Sequence, residues 1–408
     1  MKTAVRLLTF VALASPALCQ GPIFSTPGMP TSGSSGQTDR FSSEFNPAIG
    51  GVIDSLLTYR SADGDSEDGF DVSLRSFEGT INTWIDPNTW AYGVLVGSEE
   101  EALVVEEAAV IFEGLGGHST LRAGRFFVDF GKQMQAHVHD LPTFHRPAVL
   151  RAYLGEELGG SGVQYGNWFA AGESGAIRFS VGLFDSLVQG HSHGDHGDET
   201  EVNRAVGDYK EAEELSYSAR LTGFHDAGER GVLQWGLSMR GLPEFSFDVD
   251  LEDGTELVTD GMSNHVLGLD LTYGWSDDTG VKTWTVGGEY LAMIGDISAE
   301  VNDRGTPLNF ADDTLDVLDD DRDGFYFWLD RGFDLNNSVG LLYSTFEHAE
   351  AGSPQQTEIT AYYTRHLTEY SRLRFGVSMT DVDDGDDSTA LLVQFTNFFG
   401  SHAHGVNW

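Results

Sequence analysis

Alternation with a period of two runs through most of this chain. In HVLGLDLTYGW, Leu267, Leu269, Leu271, Tyr273 and Trp275 share one face, while Gly268, Asp270, Thr272 and Gly274 share the other. The same pattern recurs at 177–183, 215–221, 233–239, 284–294 and 373–379. Successive strand side chains point to opposite faces, so each run predicts a strand with one apolar and one polar side. No helical stripe of apolar positions lasts beyond a turn or two.

Sixteen such runs emerge, at 49–60, 69–85, 89–98, 102–113, 119–129, 161–170, 175–186, 213–225, 230–241, 264–276, 280–294, 324–333, 337–348, 356–367, 371–381 and 387–399. They reach about 10–14 residues, longer than the roughly 5–6 of an ordinary strand. The connections after even-numbered runs are all short, such as DPN at 86–88. Those after odd-numbered runs include every long one, at 130–160, 187–212, 242–263 and 295–323. Short turns at one end and long loops at the other are the habit of a membrane-spanning up-and-down barrel. The predicted fold is all-β, an antiparallel transmembrane β-barrel of about 16 strands.

One connection stands apart. GKQMQAHVHDLPTFHRPAVLRAYLGEEL, at 131–158, is too long for a turn and carries two prolines. It is expected to fold inward as the third outer loop and to line the narrowest point of the barrel, with Gln133, Gln135, His137, His139, His145, Arg146 and Arg151 at the constriction. The spacing of His137 and His139 places both rings on one side of an extended segment. They could meet a passing ion, titrate near pH 6.5 and gate by charge, or tie the loop to the wall. Arg178, Arg220, Arg240 and Arg374 fall on polar faces, as do Asp54, Asp270 and Glu289, and are expected to line the lumen.

The ends differ from this pattern. Residues 1–19 read as an export signal, with Lys2 and Arg6 before LLTFVALASPAL and a cleavage site at Ala17-Leu18-Cys19. Residues 20–44, rich in Gly, Ser, Pro and Thr, read as a flexible lead segment, 45–400 as the barrel and 401–408 as a tail. Cleavage after the single cysteine excludes disulfides and thiol chemistry. A formal net charge of −41 excludes nucleic acid as a partner and favours cations.

Several stretches resemble the zinc-regulated outer-membrane proteins of Gram-negative bacteria, porin-like barrels distantly related to phosphate-selective porins. The matching pieces are FNPAI (45–49), VEEAAVIF (105–112), LRAGRFFVDFGKQMQAHVHDLPTFHRPAVL (121–150), YLGEELGGSGVQYGNWF (153–169), HSHGDHGDE (191–199) and FGSHAH (399–404). The resemblance implies an outer-membrane location, contact with outer-membrane lipid, passage of small hydrophilic solutes with divalent metal such as zinc among them, and a homotrimer by analogy with porins.

Two metal-ligand patterns accompany it. His191, His193 and His196, with Asp195, Asp198 and Glu199, could hold Zn²⁺ weakly and exchangeably. Asp319, Asp321 and Asp323 begin a D-x-D-x-D-G calcium pattern, set against the default of a solvated acidic loop. No tightly held cofactor is expected. Glu106 and Glu107 are adjacent, and strand neighbours point to opposite faces, so they are not expected to act together. Without a hydrolase or phosphate-loop signature, the reading is a channel and not an enzyme. The alternatives are a plugged outer-membrane barrel that binds ligand or metal through its outer loops, and a secreted β-sandwich.

Overall fold

The computed structural model describes residues 47–62, 68–99, 102–113, 115–189, 210–250, 256–302, 304, 314–348, 354–383 and 385–400. The export signal, the lead segment, the tail and the 191–199 histidine loop lie outside them. The first half of the wall comprises β1 (Ala48–Ala62), β2 (Gly69–Asp86), β3 (Thr89–Gly97), β4 (Val104–Glu113), β5 (Ser119–Phe127), β6 (Leu158–Ala170), β7 (Gly175–Phe184) and a two-residue β8 (Val188–Gln189). Next come β9 (Ser216–Asp226), β10 (Gly231–Asp250), β11 (Glu256–Ser276), β12 (Thr283–Asn302) and a short β13 (Thr314–Asp319). The wall is completed by β14 (Arg322–Gly332), β15 (Asn337–Glu347), β16 (Gln355–Thr368), β17 (Ser371–Val382) and β18 (Ser388–Gly400).

All pairings are antiparallel. Apart from the short β8, which pairs with β6, and β13, which pairs with β12, each wall strand pairs with the next wall strand along the chain (β7 with β9, β12 with β14). β1 also pairs with β18, from Gly50↔Gly400 to Ala62↔Ser388. That seam closes a barrel of sixteen strands, to which β8 and β13 are additions. Closure leaves no free edge and satisfies the backbone internally, as a lipid environment demands. Every one of the sixteen alternating runs is a wall strand.

The faces separate as the alternation requires. Leu237, Leu269 and Tyr290, opposite one another on β10, β11 and β12, are all exposed on the outside. Their sequence neighbours Ser238, Asp270 and Glu289 are buried inside. Two expected loops are strand over most of their described residues. Residues 242–250 and 256–263 extend β10 and β11, and 295–302 extend β12, with β13 pairing to its far part. The register slips between Leu242 and Phe245, where Pro243 has no N–H to give, so the alternation breaks there although the hairpin continues. β10 and β11 have 20 and 21 residues. Because about 9–11 residues cross a bilayer, their far halves stand outside it.

Candidate functional site

Between β5 and β6 the chain enters the lumen and stays there. None of residues 126–160 is exposed. The path includes a 3₁₀ turn at Val138–Asp140 and one short helix, α1 (Ala148–Leu154). Pro147 precedes α1, and Gly155 ends it with φ +81°. The helix N-terminus uses the wall for a cap, the Val149 N–H donating to Ser344 Oγ at 3.1 Å. Its apolar residues Val149, Leu150, Tyr153 and Leu154 join an inward patch formed by Leu291, Tyr326, Trp328, Leu342 and Phe346.

Wall arginines hold the loop by its backbone. Arg374 donates to the carbonyls of Thr143 and Leu141, Arg372 to that of His139, and Arg75 to that of Phe144. Arg240 Nη2 donates to Tyr153 O at 3.0 Å, and Arg151 of the loop reaches out to Glu358 at 2.7 Å. At the loop entrance Asp129 accepts from Arg178 at 2.6 Å and lies 3.6 Å from Arg220, which also pairs with Asp270 at 2.7 Å. The Gly131 N–H donates to Ser238 Oγ at 3.0 Å, and the Lys132 N–H donates to Glu289. The charge-assisted bonds among these are the stronger class, and each of them satisfies a carbonyl or carboxylate of the lumen.

The expected constriction residues therefore have definite places. Gln133, His137, His139 and Arg146 are buried, and Gln135, His145 and Arg151 half-buried. Arg146 donates to Ala136 O, bracing the loop against itself. The expected lumen residues Arg178, Arg220, Arg240, Asp270, Glu289 and Arg374 all point inward and are buried among the loop contacts.

The densest chemistry surrounds His137. Its Nδ1 lies 2.9 Å from Glu106 Oε2 and 3.2 Å from Glu78 Oε2, and its Nε2 lies 3.0 Å from Glu107 Oε1. His139 Nδ1 is 3.3 Å from the same Glu78 oxygen. The expectation that Glu106 and Glu107 diverge is overturned. Val94 pairs with Glu107 but Leu95 with Val105, so Glu106 is the extra residue of a β-bulge and turns inward beside its neighbour. Glu107 is fixed by the Tyr92 hydroxyl at 2.8 Å and the Phe127 N–H at 3.1 Å, both donating to Oε2. Arg75 is likewise an extra residue, between the pairs Asp54↔Ser76 and Ser55↔Leu74, and it bonds to Asp54.

Burial opposes a charge on His137, but the carboxylates of Glu106 and Glu78 outweigh it and hold the imidazole well above the ordinary 6.5. His145 goes the other way. Burial, then the positive charges of Arg75 and Arg151, hold it well below 6.5. The two rings are thus biased in opposite directions by their surroundings.

Among the described residues, Glu78, Glu106 and His137 are the one group of three acidic, histidine or cysteine side chains able to share an ion. Asp319, Asp321 and Asp323 are exposed and spread from the end of β13 to the start of β14. Asp323 is paired with Ala292 in the wall.

No protein-family model matches the chain. An uncharacterised protein of Aquifex aeolicus is 24% identical over 331 residues, 78% of this chain and 66% of that protein, so the chain spans just under two thirds of this relative. Among solved structures, OprB of Pseudomonas putida superposes with a TM-score of 0.57 at 9% identity, covering 87% of this chain and 94% of OprB. The trimer form of OmpT from Vibrio cholerae gives 0.53 at 10%, covering 85% and 98%, and an anion-selective porin of Comamonas acidovorans 0.52 at 13%, covering 86% and 98%.

The fold is that of an outer-membrane porin. The closed wall and its apolar outer face locate the protein in the outer membrane of a Gram-negative cell. Within that porin fold, the residues that sequence reasoning missed are Glu78, Arg75 and Arg372, together with the joint role of Glu106 and Glu107. A usable signal lay in VVEEAAVIF, where two apolar residues meet two acids and the alternation slips by one.

Proposed function

We propose that this protein is an outer-membrane channel that passes small hydrophilic solutes, with the lumen loop setting the size limit. The observation that carries this reading is a charged lumen wall inside a sixteen-strand barrel, a size that leaves room for an aqueous path. Divalent cations such as zinc are the solutes we assign. The net charge of −41 draws cations toward the protein, and carboxylates and imidazoles accompany the loop inside. A homotrimer is the proposed assembly, the form in which OmpT of Vibrio cholerae was solved.

Planar-bilayer recording of the refolded protein, with reversal potentials under a salt gradient, tests the reading. Stable conductance steps with cation preference are expected. Anion preference would remove the cation assignment, and correct insertion without steps would remove the channel.

A second reading, a plugged barrel that binds ligand through its outer loops, has one observation in its favour: no residue from 126 to 160 is exposed. It predicts that the intact protein is silent and that deleting 132–156 produces steps.

A further inference from the structure

We propose that His137, Glu78 and Glu106 form a site for one divalent cation of zinc-like chemistry, which fastens the lumen loop to the barrel wall. This is a resident ion, and the inference does not depend on whether the lumen conducts. The three donors come from three places in the chain, β2, β4 and the loop, and their ligand atoms all lie within 4.8 Å of one another. Two ligands about 2.1 Å from a zinc ion stand roughly 3.4 Å apart at a tetrahedral angle. The observed separations from His137 Nδ1, 2.9 Å to Glu106 and 3.2 Å to Glu78, need only small adjustment to admit an ion.

Three further features point to a ligand. Glu106 Oε2 is buried and faces the ring nitrogen of His137 at 2.9 Å, where an ion would be shared between them. The bulge in β4 turns Glu106 inward to this convergence, where a regular strand would point it outward. And Glu107 stands where a metal-bound histidine's supporting carboxylate stands, 3.0 Å from the opposite ring nitrogen and itself held by Tyr92 and Phe127. That support directs Nδ1 toward Glu78 and Glu106. His139 Nδ1, 3.3 Å from Glu78 Oε2, offers a fourth donor. A mixed set of imidazole nitrogens and carboxylate oxygens, without thiolate, suits Zn²⁺, Co²⁺ or Mn²⁺ better than Ca²⁺ or Mg²⁺. Because every ligand is buried, the ion should exchange slowly once the loop is docked.

The test is to refold the full chain in detergent with Zn²⁺, remove loose metal with EDTA and desalting, and measure retained zinc by mass spectrometry. A parallel sample takes Co²⁺ for its visible absorption. Barrel closure of each variant is checked by heat-modifiable gel mobility. About one equivalent should be retained by the wild type and by the H191A/H193A/H196A variant of the outer loop. Retention should fall at least about tenfold in the near-isosteric Glu106→Gln and Glu78→Gln variants, with loss of the cobalt bands. Zinc-free wild type, a closed Glu106→Gln barrel that keeps its zinc, or retention abolished by the outer-loop variant would each overturn the proposal.

Discussion

Glu106 and Glu107 stand side by side on β4 and close on opposite edges of one imidazole ring, that of His137, at 2.9 and 3.0 Å. A regular strand would send one of them into lipid. The single unpaired residue of the bulge keeps both inside and gives the loop a fixed point near its middle. Contacts from wall strands on all sides supply the others, so the loop behaves as part of the wall.

The arginine clamps can be tested one at a time. Arg374→Met keeps an unbranched, shorter side chain and removes the bonds to the Leu141 and Thr143 carbonyls. Hydrogen bonds from a charged donor contribute about 1.5–3 kcal/mol each. The barrel should still close, while the loop becomes cleavable under limited proteolysis. A cleavage pattern identical to wild type would show that these bonds do not hold it.

Gly131 begins the inward path with φ +54°, and a Cβ there would lie 2.2 Å from Glu289 Oε2. Glu289 has little room to yield, since it accepts from Tyr326 and from the Lys132 N–H. Gly131→Ala should therefore cost about 1–3 kcal/mol from strain and displacement. Denaturant unfolding of the folded barrel, compared with Gly172→Ala in a turn with open space around it, separates crowding from backbone strain.

The sign of one pH effect follows from His145, whose folded pKa is held well below 6.5 by burial and by Arg75 and Arg151. Above about pH 6.5 both folded and unfolded forms are neutral there, and His145 costs nothing. As pH falls below that value the unfolded chain takes up a proton that the docked loop resists, so loop stability declines. Melting curves from pH 8 to 5 should show this decline in the wild type and a shallower one in His145→Asn. Equal slopes would assign it elsewhere.

On the outside, Leu269 faces lipid between Leu237 and Tyr290. Leu269→Arg should destabilise the inserted barrel by about 2–4 kcal/mol if it lies near the bilayer midplane. Urea titration of folding into liposomes measures this. The same change on a solvated outer loop should be nearly neutral.

The wall was legible because alternation is a local property: Leu267 to Trp275 announce an outward face without reference to any other strand. The length of the β10–β11 hairpin was not, because Pro243 interrupts the count and only the partner at Met262 restores it. The loop was recognisable from its two prolines and its length. Its partners were not, since Arg372 and Arg75 gain meaning only from strands more than sixty residues away in either direction. Glu106 misled for a related reason. Its orientation depends on the pairing of Val94 and Leu95 on β3, and no rule read along β4 alone contains that register.

The carbonyls of Leu141 and Thr143 are held by a strand more than two hundred residues downstream, and Phe144 by one upstream. Docking therefore has an order built into it. The loop is synthesised long before half of its partners exist, and Arg374 reaches its working position only when the last strands have zipped against the first. A seated loop is accordingly a record that the chain has finished assembling, and a protease added during insertion would read that record as a late, abrupt loss of cleavage within the loop.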